Sequence, residues 1–341
     1  MANILVQIPF SARCLPAMRQ IAHISRAEGH TTRYWLGPLS GWLPNRLWAG
    51  KPDLAFVWNG VKPRYLPSVR LLNQLGAKVV YVEHGWYPQA PTVQLDTVGV
   101  NVGASWSNKP LATRGRTPLP VRPQGDLLVL LQHDEDAQIT EYSPWFANMA
   151  EFVEHVATHS TLPVRVRPHP RHPPSPALRQ AVTSRGHAWD TSPSLSAALE
   201  TCRAVACVNS GSAIEAFTRR VPVLCFGESI YRHPGVVYCL DHEIEPLRMA
   251  TNELAQGQSS LFVEAIEAIL ERVHANQFRI TELNQVLPVR INQWLETRPS
   301  AATEATRRSQ RVIHKGDTIL PMPHSRQTTP SAQPQGKRRA A

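Results

Sequence analysis

The stretch that most constrains the fold is residues 204–227, AVACVNSGSAIEAFTRRVPVLCFG. An apolar run from Ala204 to Val208 stops at small polar residues, which open an amphipathic segment before a second apolar run. That order reads as a strand, a tight turn, a helix and another strand, the repeating unit of a parallel sheet covered by helices. At the turn, Ser210, Gly211 and Ser212 offer hydroxyls and closely approachable backbone N–H groups at a helix N-terminus, where the macrodipole favours an anion. Serine is also a common N-cap, so a plainly capped helix accounts for the same residues.

The rest of the chain alternates in the same way. Ile4–Ile8, Leu54–Val57 and Val79–Val82 read as strands, with helices at Leu15–Arg26 and Ser68–Leu75. Residues 105–124 contain four prolines and read as a linker. Alternation then restarts with strands at Leu127–Leu131, Val164–Val166, Val205–Val208 and Val223–Phe226, and helices at Trp145–His159, Pro176–Arg185 and Ala213–Arg219. Further helices run from Leu261 to Val273 and through Ile291, Trp294 and Leu295. The expected class is α/β, with two Rossmann-like doubly wound domains, 1–122 and 123–297, followed by a tail at 298–341. Such units bind ligands in the crevice at the carboxyl ends of their strands.

Charge divides unevenly along the 341 residues. The formal net charge is +10, and the tail from Arg298 onward carries nine Lys and Arg against Glu304 and Asp317, or +7 of it. The tail is rich in Ser, Thr, Pro, Gln and Ala, a composition that cannot bury enough apolar surface to offset ordering entropy, and disorder is expected there. Its charge suits an anionic membrane surface. The body is close to neutral, and acids and histidines mark its strand ends, so a nucleic-acid partner is not expected. The five cysteines form an odd set without a C-x-x-C spacing, so neither disulfides nor zinc are expected. No apolar run reaches the roughly 20 residues of a membrane span, and a cytoplasmic location is expected, peripheral to the inner face of the membrane.

Polar residues at strand ends carry the candidate chemistry. Strand Val79–Val82 ends in Glu83-His84-Gly85-Trp86, which puts a carboxylate at a general-base or nucleophile position or makes it a helix cap. Strand Leu127–Leu131 ends in Gln132-His133-Asp134-Glu135-Asp136-Ala137-Gln138. The Asp134-x-Asp136 spacing matches the aspartate pair that holds a divalent metal on nucleotide diphosphates, and it also suits a solvated turn. Strand Val164–Val166 ends in Arg167-Pro168-His169-Pro170, where prolines fix a histidine at the strand tip and Arg167 beside it suits an anionic ligand. His172 makes a metal pair with His169 conceivable, but the prolines prevent a helix and no third ligand is evident. No metal or other cofactor is expected.

Five stretches in order resemble the capsule polysaccharide biosynthesis proteins that act as CMP-Kdo-dependent β-Kdo transferases: Val57-Trp58-Asn59-Gly60; Glu83-His84-Gly85-Trp86 with Asp96, Gly99, Val100 and Asn101; Gln132 with Asp136 and Gln138; His169-Pro170; and Asn209-Ser210-Gly211-Ser212 with Glu215 and Pro222. The resemblance implies a GT-B-like fold and retaining transfer of Kdo from CMP-Kdo to a lipid-linked or oligosaccharide acceptor. It implies a donor site of Gln132, Arg167, His169, Ser210, Gly211, Ser212 and Glu215, and an acceptor side of Asn59, His84 and Asn101. By that resemblance Asp136 is the nucleophile; Glu83 and His169 complete the catalytic set. Asp134 and His84 depart from the family pattern, which leaves Asp134, Asp136 and Glu83 in competition for the nucleophile. A different donor, as in sialyltransferase-like or UDP-sugar enzymes of the same architecture, fits the same fold.

Overall fold

The computed structural model describes residues 1–9, 11–36, 51–62, 64–140, 142–143, 145–184 and 186–297, with backbone alone at 137, 138 and 181. The tail expected at 298–341 lies outside the described residues. Two six-stranded sheets organise the chain. The first takes β1 (Asn3–Ile8), β2 (Thr31–Leu36), β3 (Leu54–Trp58), β4 (Lys78–His84) and β5 (Thr92–Asp96), with α1 (Leu15–Ala27) and α2 (Leu66–Gln74) between strands. The second takes β6 (Leu127–Leu130), β7 (Val164–Arg167), β8 (Ala188–Trp189), β9 (Ala204–Cys207), β10 (Val223–Cys225) and β11 (Tyr238–Cys239). Its helices are α3 (Ala137–Thr140), α4 (Met149–His159), α5 (Pro176–Thr183), α6 (Leu195–Thr201), α7 (Ser212–Thr218), α8 (Ile244–Ala255) and α9 (Val263–Ala275).

The second sheet is parallel throughout and runs β8-β7-β6-β9-β10-β11. Numbered from its own first strand this is the order 3-2-1-4-5-6 of a dinucleotide-binding sheet, whose direction of winding reverses between β6 and β9. The first sheet places β1 between β2 and β3, so its reversal falls between β1 and β3. These two reversals put the residues after β1, β3, β6 and β9 at crevices. Strands β3 and β6 are buried along their whole length, as their unbroken apolar sequences require.

The end of the chain departs from the expected division at 297. Strand β12 (Gln277–Arg279) pairs antiparallel with β5 at the edge of the first sheet, and α10 (Leu283–Glu296) follows it. Leu283, Leu287 and Ile291 of α10 join Met18 and Ile21 of α1 in one buried cluster. Residues 277–296 therefore belong with the first sheet, because that is where their apolar face is covered. The proline-rich stretch before β6 is pinned rather than loose: Leu119 is 2% exposed and its N–H donates to the Leu261 carbonyl at 2.8 Å. Four of the five cysteines are buried and all are unpaired thiols, packed as small hydrophobes.

Candidate active site

The two residue groups at the second sheet's reversal are tied to each other by amides. Gln132, after β6, donates from Nε2 to Asn209 Oδ1 at 2.9 Å, and the Asn209 backbone N–H, after β9, returns to Gln132 Oε1 at 3.1 Å. This exchange fixes the spacing of the two loops and occupies the Gln132 amide. Beyond Asn209, Ser210 Oγ accepts the Ser212 N–H at 3.2 Å and the Ser210 carbonyl accepts the Tyr231 hydroxyl at 2.7 Å. Gly211 is solvent-exposed, and a Cβ on it would lie 3.9 Å from the Trp86 carbonyl oxygen. The serine turn thus faces the loop that follows β4.

That loop is anchored in both halves. Gly85 is required there, since a Cβ would fall 2.1 Å from Thr92 Oγ1. The Trp86 ring is buried against Trp106, edge to face at 5.1 Å, within the cluster that holds Ile214 and Phe217 of α7. The Trp86 backbone N–H donates to Gln277 Oε1 at 2.8 Å.

Glu83, the penultimate residue of β4, has both carboxyl oxygens engaged. Oε2 accepts Asn59 Nδ2 at 2.7 Å and Oε1 accepts the His84 N–H at 2.9 Å. Asn59 can aim its amide in this way because it sits after β3 at φ 60°, where its Oδ1 takes the Val61 and Lys62 N–H groups in a tight turn. Packing around the Glu83 carboxyl raises its pKa; the two donors and Lys62 oppose the rise, and the charge of Asp136 adds to it. The His84 ring meets Trp58 edge to face at 4.9 Å, and burial, with the charge of Arg13, holds it below the ordinary imidazole value.

Asp136 lies on the other sheet, at the start of α3, with its N–H bonded to the His133 carbonyl at 2.9 Å. Its charge is felt at Glu83 and also at His169, where it opposes a lowering caused first by burial and then by His172 and His133. Glu83, Asp136 and His169 therefore share one electrostatic neighbourhood formed from both sheets.

Several expected site residues are engaged elsewhere. Asp134 accepts the Met149 N–H at 2.7 Å in the first turn of α4, whose N-cap is Asn148, and this gives it a role apart from that of Asp136. Arg167 pairs with Asp190, a buried carboxylate that also binds Arg165 at 2.7 Å. Glu215 pairs with Arg219 one turn on at 3.3 Å, the ordinary fate of a helix acid. Asn101 exchanges two 2.9 Å hydrogen bonds with the buried Gln94 and supports the first sheet from within. For these positions the acceptor or donor role anticipated from sequence competes with a bond already made inside the chain. Arg13 and Lys62, not singled out in the sequence, place their charges near His84 and Glu83 respectively. They follow β1 and β3 at the first sheet's reversal, and only the strand order reveals that position.

Residues 122–268 match the family model described as capsule polysaccharide biosynthesis protein. That match takes in less than half of the 341 residues and is a similarity of this segment to the family. The family segment covers β6 through most of α9, so it includes Asp136, His169 and the serine turn but not Glu83. The chain is 28% identical over 220 residues to Protein FixF of Sinorhizobium fredii (strain NBRC 101917 / NGR234), a match covering 54% of this chain and 50% of that protein. It thus spans about half the length of the curated relative it matches. Thermosulfurimonas dismutans KpsC, beta Kdo 2,7 transferase, superposes with a TM-score of 0.50 at 18% identity, covering 81% of this chain and 99% of that one. The beta Kdo 2,4 transferase of the same KpsC matches at TM-score 0.41 and 13% identity, over 86% of this chain and 98% of that one. The fold is GT-B-like: two Rossmann-like sheets, with the C-terminal helix returned to the first.

Proposed function

We propose that the chain is a glycosyltransferase that moves Kdo from CMP-Kdo to a lipid-linked or glycan acceptor in capsule or surface polysaccharide biosynthesis, with retention of configuration. The observation that carries this reading is the pair of carboxyl groups, Glu83 near the end of β4 and Asp136 in the loop after β6, which come from different sheets, with the charge of Asp136 adding to the rise in the Glu83 pKa. Retention by double displacement needs two such groups on opposite sides of one sugar. In the first step Asp136 attacks the anomeric carbon of Kdo and CMP departs with its bonding pair. In the second, an acceptor hydroxyl gives its proton to Glu83 and displaces Asp136, restoring the original configuration. His169 and the Ser210–Ser212 turn supply hydrogen-bond donors to the single phosphate that leaves, and a monophosphate needs less charge neutralisation than a diphosphate. The likeness to the beta Kdo 2,7 transferase of KpsC and the capsule-family segment both support this reading. The +7 of the tail favours a site at an anionic membrane surface, where a lipid-linked acceptor resides.

Incubating the purified protein with CMP-Kdo and extracted lipids, followed by mass spectrometry, tests the reading. A lipid or glycan product heavier by one Kdo unit is expected. Transfer from a UDP-sugar but not from CMP-Kdo would replace this donor with another of the same architecture.

A further inference from the structure

Three imidazoles gather where β6 and β7 end. The ring of His133 lies 3.8 Å from that of His172, and His172 lies 4.8 Å from His169, centroid to centroid. A short turn holds the last two together, with the His172 N–H on the His169 carbonyl at 3.2 Å and the two residues bridged antiparallel. Prolines at 168, 170, 173 and 174 stiffen that turn from both sides. The hydrogen bonds also set the tautomers. His169 Nδ1 accepts the Arg171 N–H at 3.3 Å and His133 Nδ1 accepts the Glu135 N–H at 3.2 Å. In the neutral rings the proton is thereby left on Nε2, so two fixed N–H donors flank a third imidazole.

We propose that His133 and His172 join His169 in a three-imidazole seat for the phosphoryl group of the donor nucleotide, and that the seat takes up a proton from solvent as the anion binds. The proposal rests on the donor-site reading above and adds two residues and a proton to it. The charged groups around the seat explain why the proton arrives with the ligand. Burial opposes protonation of His169, and His172 and His133 oppose it further, so His169 is disfavoured as an imidazolium while the seat is empty. Asp136 acts in the other direction. Asp134 is turned to the Met149 N–H, Arg167 to Asp190, and Glu135 and Arg171 are exposed at the rim. Glu83, on the other sheet, is reached by the charge of Asp136. A phosphoryl anion set against the Nε2 edges supplies the opposite charge that the cluster lacks, and one imidazolium becomes favourable. With Nδ1 of His169 and of His133 each occupied by a backbone N–H, the free edges of these neutral rings present Nε2–H donors, which suit an anion.

The test is calorimetric titration of the full chain with the methyl ester of CMP, a phosphodiester whose own charge is constant from about pH 6 to 8. Run near neutral pH in two buffers of different ionisation enthalpy, it counts the protons taken up. The wild type is expected to bind with uptake of a clear fraction of a proton, and more weakly as pH rises. His172→Gln and His133→Gln should each bind about tenfold more weakly, the scale of one hydrogen bond to a charged group, and take up less. His172→Lys carries a permanent charge and should keep the affinity while losing most of the uptake, which separates a charge effect from lost packing. Wild-type binding without proton uptake, and with both glutamine variants unchanged, overturns the seat and leaves the donor reading standing. No binding of either the ester or CMP overturns both.

Discussion

At the residue scale the decisive contrast is between two carboxyl groups. Glu83 is enclosed and held by two donors; Asp136 is exposed, and its neighbours are imidazoles. Environments that differ in this way assign different proton-transfer roles to like groups. Asp136→Asn is expected to lower transfer by on the order of 10⁴–10⁶, the scale on which nucleophiles act, with little change in melting temperature because the side chain is exposed. Asp134→Asn should do the reverse, keeping the rate while costing about 1 kcal/mol through the lost negative charge at the N-terminus of α4. Turnover and thermal melts of the two variants check both, and an active Asp136→Asn enzyme moves the nucleophile elsewhere. Asn59 acts through Glu83. Its amide favours the ionised carboxylate, so removing it raises the Glu83 pKa further above the usual carboxylate range. A base must be ionised to work, so the acid limb of the rate profile should shift to higher pH in Asn59→Gly. Glycine is the right replacement because it accepts φ 60° without strain, leaving the lost hydrogen bond as the main change. An unmoved limb with a lower rate would mean that Asn59 serves only the turn. The placing of Asp136, His169 and the serine turn after strands was legible because each follows an apolar run. That Asn101, Arg167 and Glu215 bond inside the chain was not, because their partners Gln94, Asp190 and Arg219 are chosen by three-dimensional proximity rather than by spacing alone.

At the scale of elements, apolar runs mark the central strands well. β3, β6 and β9 are buried end to end, so nothing polar interrupts them in the sequence. β5 is equally buried but was not legible, since Thr92, Gln94 and Asp96 break its apolar pattern. Those three are tolerated inside because each is satisfied. Gln94 donates to the His84 carbonyl and to Asn101, Thr92 donates to the Pro88 carbonyl, and Asp96 accepts from Val98, Gly99 and Ser105. β12 was illegible for a different reason: three residues at 277–279 acquire meaning only when β5 lies beside them. The same return fixes α10, whose C-terminal carbonyls are capped from a distance. Lys78, at the start of β4, donates to the Trp294 and Thr297 carbonyls and, at 2.6 Å, to Thr297 Oγ1. A cation at a helix C-terminus satisfies orphan carbonyls and the macrodipole together. Lys78→Met keeps the aliphatic stem and removes the cap, so α10 should fray. We expect faster amide exchange over residues 292–297 and a melting temperature lower by about 2–4 °C, corresponding to roughly 1 kcal/mol in a protein of this size. Unchanged exchange there would mean that packing on α1 holds the helix end without the lysine.

At the scale of the whole molecule, the proposed site draws on both sheets because the chain crosses between them. The loop after β4 plants Trp86 in the second sheet's core, so the Glu83 and Asp136 loops are held in register by buried surface. What remains is to bring this site to an acceptor. The body is close to neutral, while residues 298–341 carry nine Lys and Arg against two acids. Each cation near an anionic bilayer contributes about 1 kcal/mol at low salt, and the attraction fades beyond a Debye length of roughly 10 Å at 0.1 M. Seven net charges are enough for measurable but reversible adsorption, and they predict a steep salt dependence. Co-sedimentation with vesicles containing phosphatidylglycerol should retain the full chain at low salt and release it at high salt. A chain ending at Thr297 should stay in solution under both conditions, and it should still transfer sugar to a soluble acceptor at the full rate, because the residues of the site lie between Asn59 and Glu215. Equal vesicle binding by the shortened chain would assign the attraction to the folded body. The place to look would then be the rim near Arg13 and Lys62, where the first sheet reverses and a membrane-borne acceptor would meet Glu83.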